Sequence, residues 1–308
     1  MSSHPELYLH LKTLNFFGLI SCECLQDKDR QLKIVTLPSH EIKAVAKLFV
    51  VLFVCSIMLT YWYTCIDDFY IPMFTETGNQ HAILLFACGC LMVISFYSYL
   101  YVARLRNISF LKDILHYYND LCKRGGAKNC KPCRRQFFLY LQISLFSLMV
   151  NNICFRQEVW TAKLCLIMLH TCVMMVVGSV ISLYVSIVRI CIMAMQHLNA
   201  ELNAAATMEN QSANLRYLQD IILRRNQLIG ICNEGVNSRF SLLLLLTVPY
   251  IMLLTPSGPY LVLLKFLELD FIQNMWEILI PAIITSGWIT PWMILFVQMC
   301  KSSGLTIE

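Results

Sequence analysis

The side chains that could carry out covalent chemistry are sparse. No carboxylate pair, metal-spaced histidine cluster, glycine-rich phosphate loop or nucleophile motif can be picked out along the 308 residues. The expectation is a protein that is not an enzyme and holds no cofactor. Cys130-x-x-Cys133, with Cys122 nearby, has spacing suited to zinc or thiol exchange, but a second paired cluster is missing. The 15 cysteines are scattered along the chain. They read as free thiols packing like small apolar groups, with Cys65 and Cys154 placed where a bridge is sterically open to them.

More telling are polar and aromatic residues set inside apolar stretches. Ser144, Ser147 and Asn151 follow i, i+3, i+7 spacing and share a helix face, with Asn152 beside it. Thr285, Trp288 and Trp292 share another, between Pro281 and Pro291, while His170, Thr171 and Tyr250 belong to two further stretches. Lipid cannot satisfy such groups, so they turn towards the interior of a bundle or a wet cavity. Asn151, His170, Tyr250, Thr285, Trp288 and Trp292 are therefore the candidate ligand-binding residues: an aromatic wall with a few convergent polar groups suits a small organic molecule. Ordinary interhelical hydrogen bonding, worth about 0.6 kcal/mol per pair, is the other role open to them.

The elements that position them follow from composition. The chain is 57% hydrophobic and only 14% charged, where a soluble domain carries about a quarter charged residues. Six charge-free windows run Leu48 to Cys65, Ala82 to Ala103, Gln136 to Phe155, Leu164 to Val188, Phe240 to Leu264 and Ile278 to Cys300. Each is long enough as a helix to cross a hydrocarbon core of roughly 30 Å. The expected fold is all-α, a polytopic transmembrane bundle of six spans whose chief partner is the lipid bilayer. Residues 1–43 form an amino-terminal segment and 44–300 the bundle, with polar linkers at 104–135 and 189–239 and a tail at 301–308. Pro256 and Pro259 break the fifth window. The early apolar stretch from Leu7 to Ile20 contains His10 and Lys12 and lacks a small-residue cleavage site, so it is not read as a signal peptide.

Basic residues orient the bundle. With the amino terminus inside, twenty Lys and Arg fall in cytoplasmic segments against three outside, with Lys47 at a boundary. The net charge of +5 then reflects the inner leaflet and not a nucleic-acid surface. Asn107 and Asn210, both in Asn-x-Ser sites, fall on the cytoplasmic side and are expected to be unglycosylated. In the second linker, Leu215, Leu218, Ile222, Ile229, Cys232 and Val236 keep a heptad-like seam leading into the fifth span. Spans four and five are thus expected to project into the cytoplasm as helices. Tyr61, Trp62 and Tyr63, like Tyr97, Tyr99 and Tyr101, are expected to form interfacial belts. Asp67, Asp68, Glu76, Glu268 and Asp270 would make a cation-attracting vestibule or a solvated surface.

Three stretches resemble the insect gustatory receptor family, within the wider insect chemoreceptor superfamily. They are Leu14-Asn15-Phe16-Phe17-Gly18-Leu19-Ile20, His197-Leu198-Asn199-Ala200-Glu201-Leu202-Asn203, and the run from Leu218 through Asn226, Leu228, Cys232 and Asn237 into Phe240-Ser241-Leu242-Leu243-Leu244. The resemblance implies a taste receptor subunit in the plasma membrane of gustatory neurons, binding a small-molecule tastant. It also implies a homo- or hetero-tetramer that gates a cation path. Family members carry a seventh span with a Thr-Tyr, hydrophobic run, Gln-Phe signature that lines the pore. No segment here matches it, so the chain expressed alone is expected not to conduct. A six-span solute transporter and a non-conducting subunit that modulates other receptors are the alternatives.

The charge distribution makes a direct prediction. Epitope tags at the amino terminus and after Glu308 should both be reached by antibody only after cells are permeabilised. Surface labelling of the amino-terminal tag on intact cells would overturn the orientation.

Overall fold

The computed structural model describes residues 6–27, 31–69, 76–123, 160–206 and 211–256, with Met293, Ile294, Phe296, Val297 and Cys300. Helix α1 (Glu6–Phe17) leads into a hairpin of β1 (Glu23–Gln26) and β2 (Leu32–Val35), antiparallel with Cys24 opposite Ile34. Then come α2 (Pro38–Thr64), a 3-10 turn (Ile66–Phe69), α3 (Glu76–Val102) and α4 (Arg104–Lys123). Beyond residue 160 lie α5 (Trp160–Ala206) and α6 (Gln211–Gly230), a π-helical segment (Ile231–Asn237) and α7 (Ser238–Leu254). Among the described residues, four helical stretches are long and apolar enough to cross a membrane: Pro38–Thr64, Asn79–Val102, Trp160–Ala205 and Leu215–Leu254. They carry the first, second, fourth and fifth expected windows. The third window and nearly all of the sixth lie outside the described residues.

Local signals explain how the elements begin and end. Pro38 occupies the first turn of α2, where its missing N–H costs nothing. Helix α1 closes in a Schellman cap: Leu19 N–H donates to Leu14 O and Gly18 N–H to Asn15 O, both at 2.9 Å. Gly18 has φ of 77°, where an L side chain is strained. The carbonyls left at the end of α1 take donors from two spans. Lys47 Nζ reaches Asn15 O at 2.8 Å and Phe16 O at 2.7 Å, and Tyr97 Oη donates to Phe17 O at 2.8 Å. Leu7, Leu11, Leu14 and Leu19 are buried beneath this cap. His10 is buried among them, and desolvation lowers its pKa to about 4, so the imidazole is neutral at neutral pH.

The hairpin is held by one side chain of α4. Asn119 accepts from Leu32 N at 3.0 Å and donates to Leu32 O at 2.9 Å, serving β2 as a neighbouring strand would. Burial pushes the Cys22 thiol up to about 11 and that of Cys24 to about 12, so both stay protonated and unreactive.

The centre is α5. Its 47 residues extend roughly 70 Å at 1.5 Å per residue, more than twice a bilayer core. From Val176 to Val188 every residue is buried, the pattern of a helix surrounded on all sides. Helix α2 is the opposite case, with 17% of its apolar window buried against 53% for α5. Its Phe49, Val50, Phe53 and Ile57 are exposed.

Among the described residues the linker expected to be helical is helical, and its seam turns inward in part: Val236 is buried and Leu218, Ile229 and Cys232 are half-buried. Leu215 and Ile222 are exposed, whereas Ile221 and Leu228 are fully buried. The α-helical repeat brings Leu218, Ile221 and Leu228 to one face, and the apolar Ile222 and Leu223 fall outside it. Tyr117 Oη of α4 donates to Arg224 O at 3.2 Å on the same helix. The Tyr97 group is also not a lipid-facing belt. Tyr97 is buried, Tyr99 Oη donates to Arg239 O at 3.1 Å, and the Tyr101 ring lies under Arg104 at 4.5 Å.

The cap at Gly18 is open to test. A Cβ there would meet Lys47 Cδ at 2.5 Å and Lys47 Cβ at 2.8 Å. Gly18→Ala should therefore cost more than the roughly 1–2 kcal/mol of left-handed strain alone. The expected readout is faster amide exchange across residues 6–27; exchange unchanged from wild type would show that the cap does not hold the amino-terminal segment.

Candidate functional site

Helix α7 buries Phe240, Leu243, Thr247, Tyr250, Ile251 and Leu254, a face set by three- and four-residue spacing. Tyr250 stands on it. A methyl group placed on Gly89 of α3 would lie 3.5 Å from the Tyr250 hydroxyl and 3.3 Å from Leu169 Cδ2 of α5. Three helices thus meet at Tyr250, and the missing side chain of Gly89 leaves room for the phenol. Small residues that admit close approach are the usual device for helix contacts in membranes. Sequence reasoning passed over Gly89, although a glycine inside an apolar helix was the available signal.

Of the predicted site residues, the structure brings Tyr250 against the turn of α5 that carries His170. The backbone of His170 continues the helix, and its side chain lies outside the described residues. Asn151, Thr285, Trp288 and Trp292 also lie outside them. Thr171, next along α5, has a buried Oγ1 with no hydrogen-bond partner among the described residues. Such a group is costly unless something else satisfies it. Nearer the start of α5, Tyr61 Oη donates to Asp68 Oδ2 at 2.7 Å and lies 2.7 Å from Thr161 Oγ1. Asp68 is thus hydrogen-bonded to α2, Asp67 is exposed, and Glu268 and Asp270 lie outside the described residues.

A cavity of about 40 Å³ lies elsewhere, around Arg239, roughly 16 Å along α7 from Tyr250 at 1.5 Å per residue. Leu14 and Leu19 of the α1 cap, Leu100, Asn107, Phe110, Val180, Leu183, Phe240 and Leu243 line it with Arg239. Two of the three stretches that resemble the receptor family therefore converge on one space. The Arg239 guanidinium donates from Nη1 to Asn107 Oδ1 at 3.2 Å and lies 5.5 Å from the centre of the Phe110 ring. The same ring covers Gly235 in the π segment so closely that a Cβ there would stand 2.6 Å from Phe110 Cε2. Asn107, read from sequence only as a glycosylation site, is a structural partner of Arg239.

Comparison with known proteins places these features in context. Residues 7–308 match the family model described as 7tm chemosensory receptor. The chain is 27% identical over 249 residues to gustatory and pheromone receptor 39a, isoform A, of Drosophila melanogaster. That alignment covers 78% of this chain and 61% of the relative. To isoform D of the same receptor it is 24% identical over 307 residues, covering 96% of this chain and 76% of the relative.

The Tyr250 junction predicts a graded series. Tyr250→Ala should destabilise the detergent-solubilised protein by about 3–5 kcal/mol, as expected for removing a buried aromatic side chain. Tyr250→Phe keeps the ring and should cost under about 1.5 kcal/mol. Equal melting temperatures for Tyr250→Ala and wild type would show that the three helices do not depend on this contact.

Proposed function

Since the chain belongs to the 7tm chemosensory receptor family, we propose that it is a gustatory receptor subunit that binds a small organic tastant within the membrane. The family match across residues 7–308 carries this conclusion. The receptor has six spans and a cytoplasmic amino terminus, works in the plasma membrane of gustatory neurons, and assembles as a homo- or hetero-tetramer that gates a cation path. The tastant occupies the outer half of the bundle, against Asn151, His170, Tyr250, Thr285, Trp288 and Trp292. Supporting this placement, Tyr250 sits at a three-helix junction, and the Thr171 hydroxyl is buried without a partner among the described residues.

Binding shifts a conformational equilibrium only by its differential affinity for the two states. Tyr250 suits that role because α7 continues through the π segment into α6. A ligand that moves the phenol acts on one end of a helical rod whose other end packs against α5. Aromatic walls supply most of the contact area, and the few polar groups select orientation.

The test separates binding from folding. A tastant that evokes calcium entry through the wild-type receptor, co-expressed with its partner subunits, is titrated against Trp288→Ala and Tyr250→Phe. Each variant should raise the half-maximal concentration roughly tenfold while surface expression stays near wild type. Parallel loss of response and expression would mean packing residues, and the placement of the site would be wrong.

A further inference from the structure

We propose that Arg239, at the edge of this cavity, binds the phosphate of an anionic phospholipid whose chains lie outside it, against the exposed Leu242 and Leu245 of α7. The polar contacts of Arg239 are unusual for a partly buried cation. Its Nη1 has only the neutral Asn107 amide, its plane faces the Phe110 ring, and its Nε is buried with no hydrogen-bond partner among the described residues. No carboxylate forms an ion pair with it there. The exposed Arg106 is close enough to repel it, and among the described residues only the Tyr99 phenol and Asp113 act the other way. A guanidinium held this way needs an anion, and its fork matches two oxygens of one phosphate.

Position selects the lipid as the source. The cavity, about 40 Å³, is too small for an acyl chain, but Leu242 and Leu245 on the same helix are exposed, and a chain laid against them gains about 0.8 kcal/mol per buried CH₂, which a free inorganic ion cannot. Arg239 lies where α7 begins, and Arg104 and Arg106 lie where α3 has just ended. Cations therefore ring the end of two membrane helices at one level, as basic pockets for lipid headgroups do. With the orientation proposed above, that level is the inner leaflet, where anionic lipids concentrate; the site itself does not require the tastant reading.

The experiment uses the full chain in nanodiscs of phosphatidylcholine, with and without phosphatidylserine, and follows melting temperature and retained lipid by native mass spectrometry. Phosphatidylserine should raise the melting temperature and remain bound. Arg239→Gln should weaken retention roughly tenfold or more with the melting temperature in pure phosphatidylcholine little changed. If inorganic phosphate in pure phosphatidylcholine discs gives the same stabilisation, the anion is not a lipid and the proposal falls. It falls equally if the wild type does not retain phosphatidylserine, or if folded Arg239→Gln retains it as wild type does. None of these outcomes touches the tastant response, so the receptor function stands or fails separately.

Discussion

Everything described in this molecule depends on enclosing one helix. Between Val176 and Val188, α5 shows no face to its surroundings, so α1, α3, α4, α6 and the π segment must all find places around it. In a membrane this enclosure cannot rest on the hydrophobic effect alone, because lipid tails are as apolar as leucine. Close packing and internal hydrogen bonds must supply the specificity. Ser179 and Ser186 show how polarity is hidden on the central helix: their hydroxyls donate to Val176 O at 2.9 Å and Ser182 O at 2.8 Å, within the helix itself. The surrounding helices then meet a smooth apolar post, and their register is set by polar contacts made among themselves.

Those contacts concentrate at the amino-terminal end. Lys47, Tyr97, Tyr99, Asn107 and Asn119 each reach from one helix to the backbone or side chain of another element. Most bind backbone carbonyls or amides, which fixes where a chain segment sits independently of the side chain it carries. Helix α1 is held against the bundle in this way although it is not among the stretches long and apolar enough to cross a membrane. Its Leu14, with Leu19 of the cap, forms one wall of the Arg239 cavity.

Much of this was legible in the sequence, and the failures have physical causes. Absence of charge over 18 or more residues is a one-dimensional property, so the windows at α2, α3, α5 and α7 could be read directly. The continuity of α5 into the polar linker was legible too, because no proline or glycine interrupts the run from Ser179 to Ala206. Within the α6 seam Ile222 was chosen where Ile221 is the buried residue, because Ile221-Ile222-Leu223 is apolar on three faces at once, and only the neighbouring helix decides which face is inside. The tyrosines at the end of α3 were read as a belt because tyrosine serves lipid interfaces and interhelical bonds equally well. At Gly89 and Gly235 the sequence shows a glycine within a helix but not its purpose, because what matters at each is a neighbour distant in sequence, Tyr250 in one case and Phe110 in the other. Of the candidate ligand residues, Tyr250 alone has a described side chain, and its burial follows from its place on the apolar face of α7.

The π segment between α6 and α7 has a mechanical meaning. Each residue inserted into an α-helix advances the angular phase of everything beyond it by about 100°, and π turns are where such insertions are stored. The Ile231–Asn237 segment therefore sets the azimuth of Tyr250 relative to Ile221 and Leu228 while leaving the rod unbroken. Phe110 resting on Gly235 acts as a detent for that phase, since the ring fits only where the backbone carries no side chain.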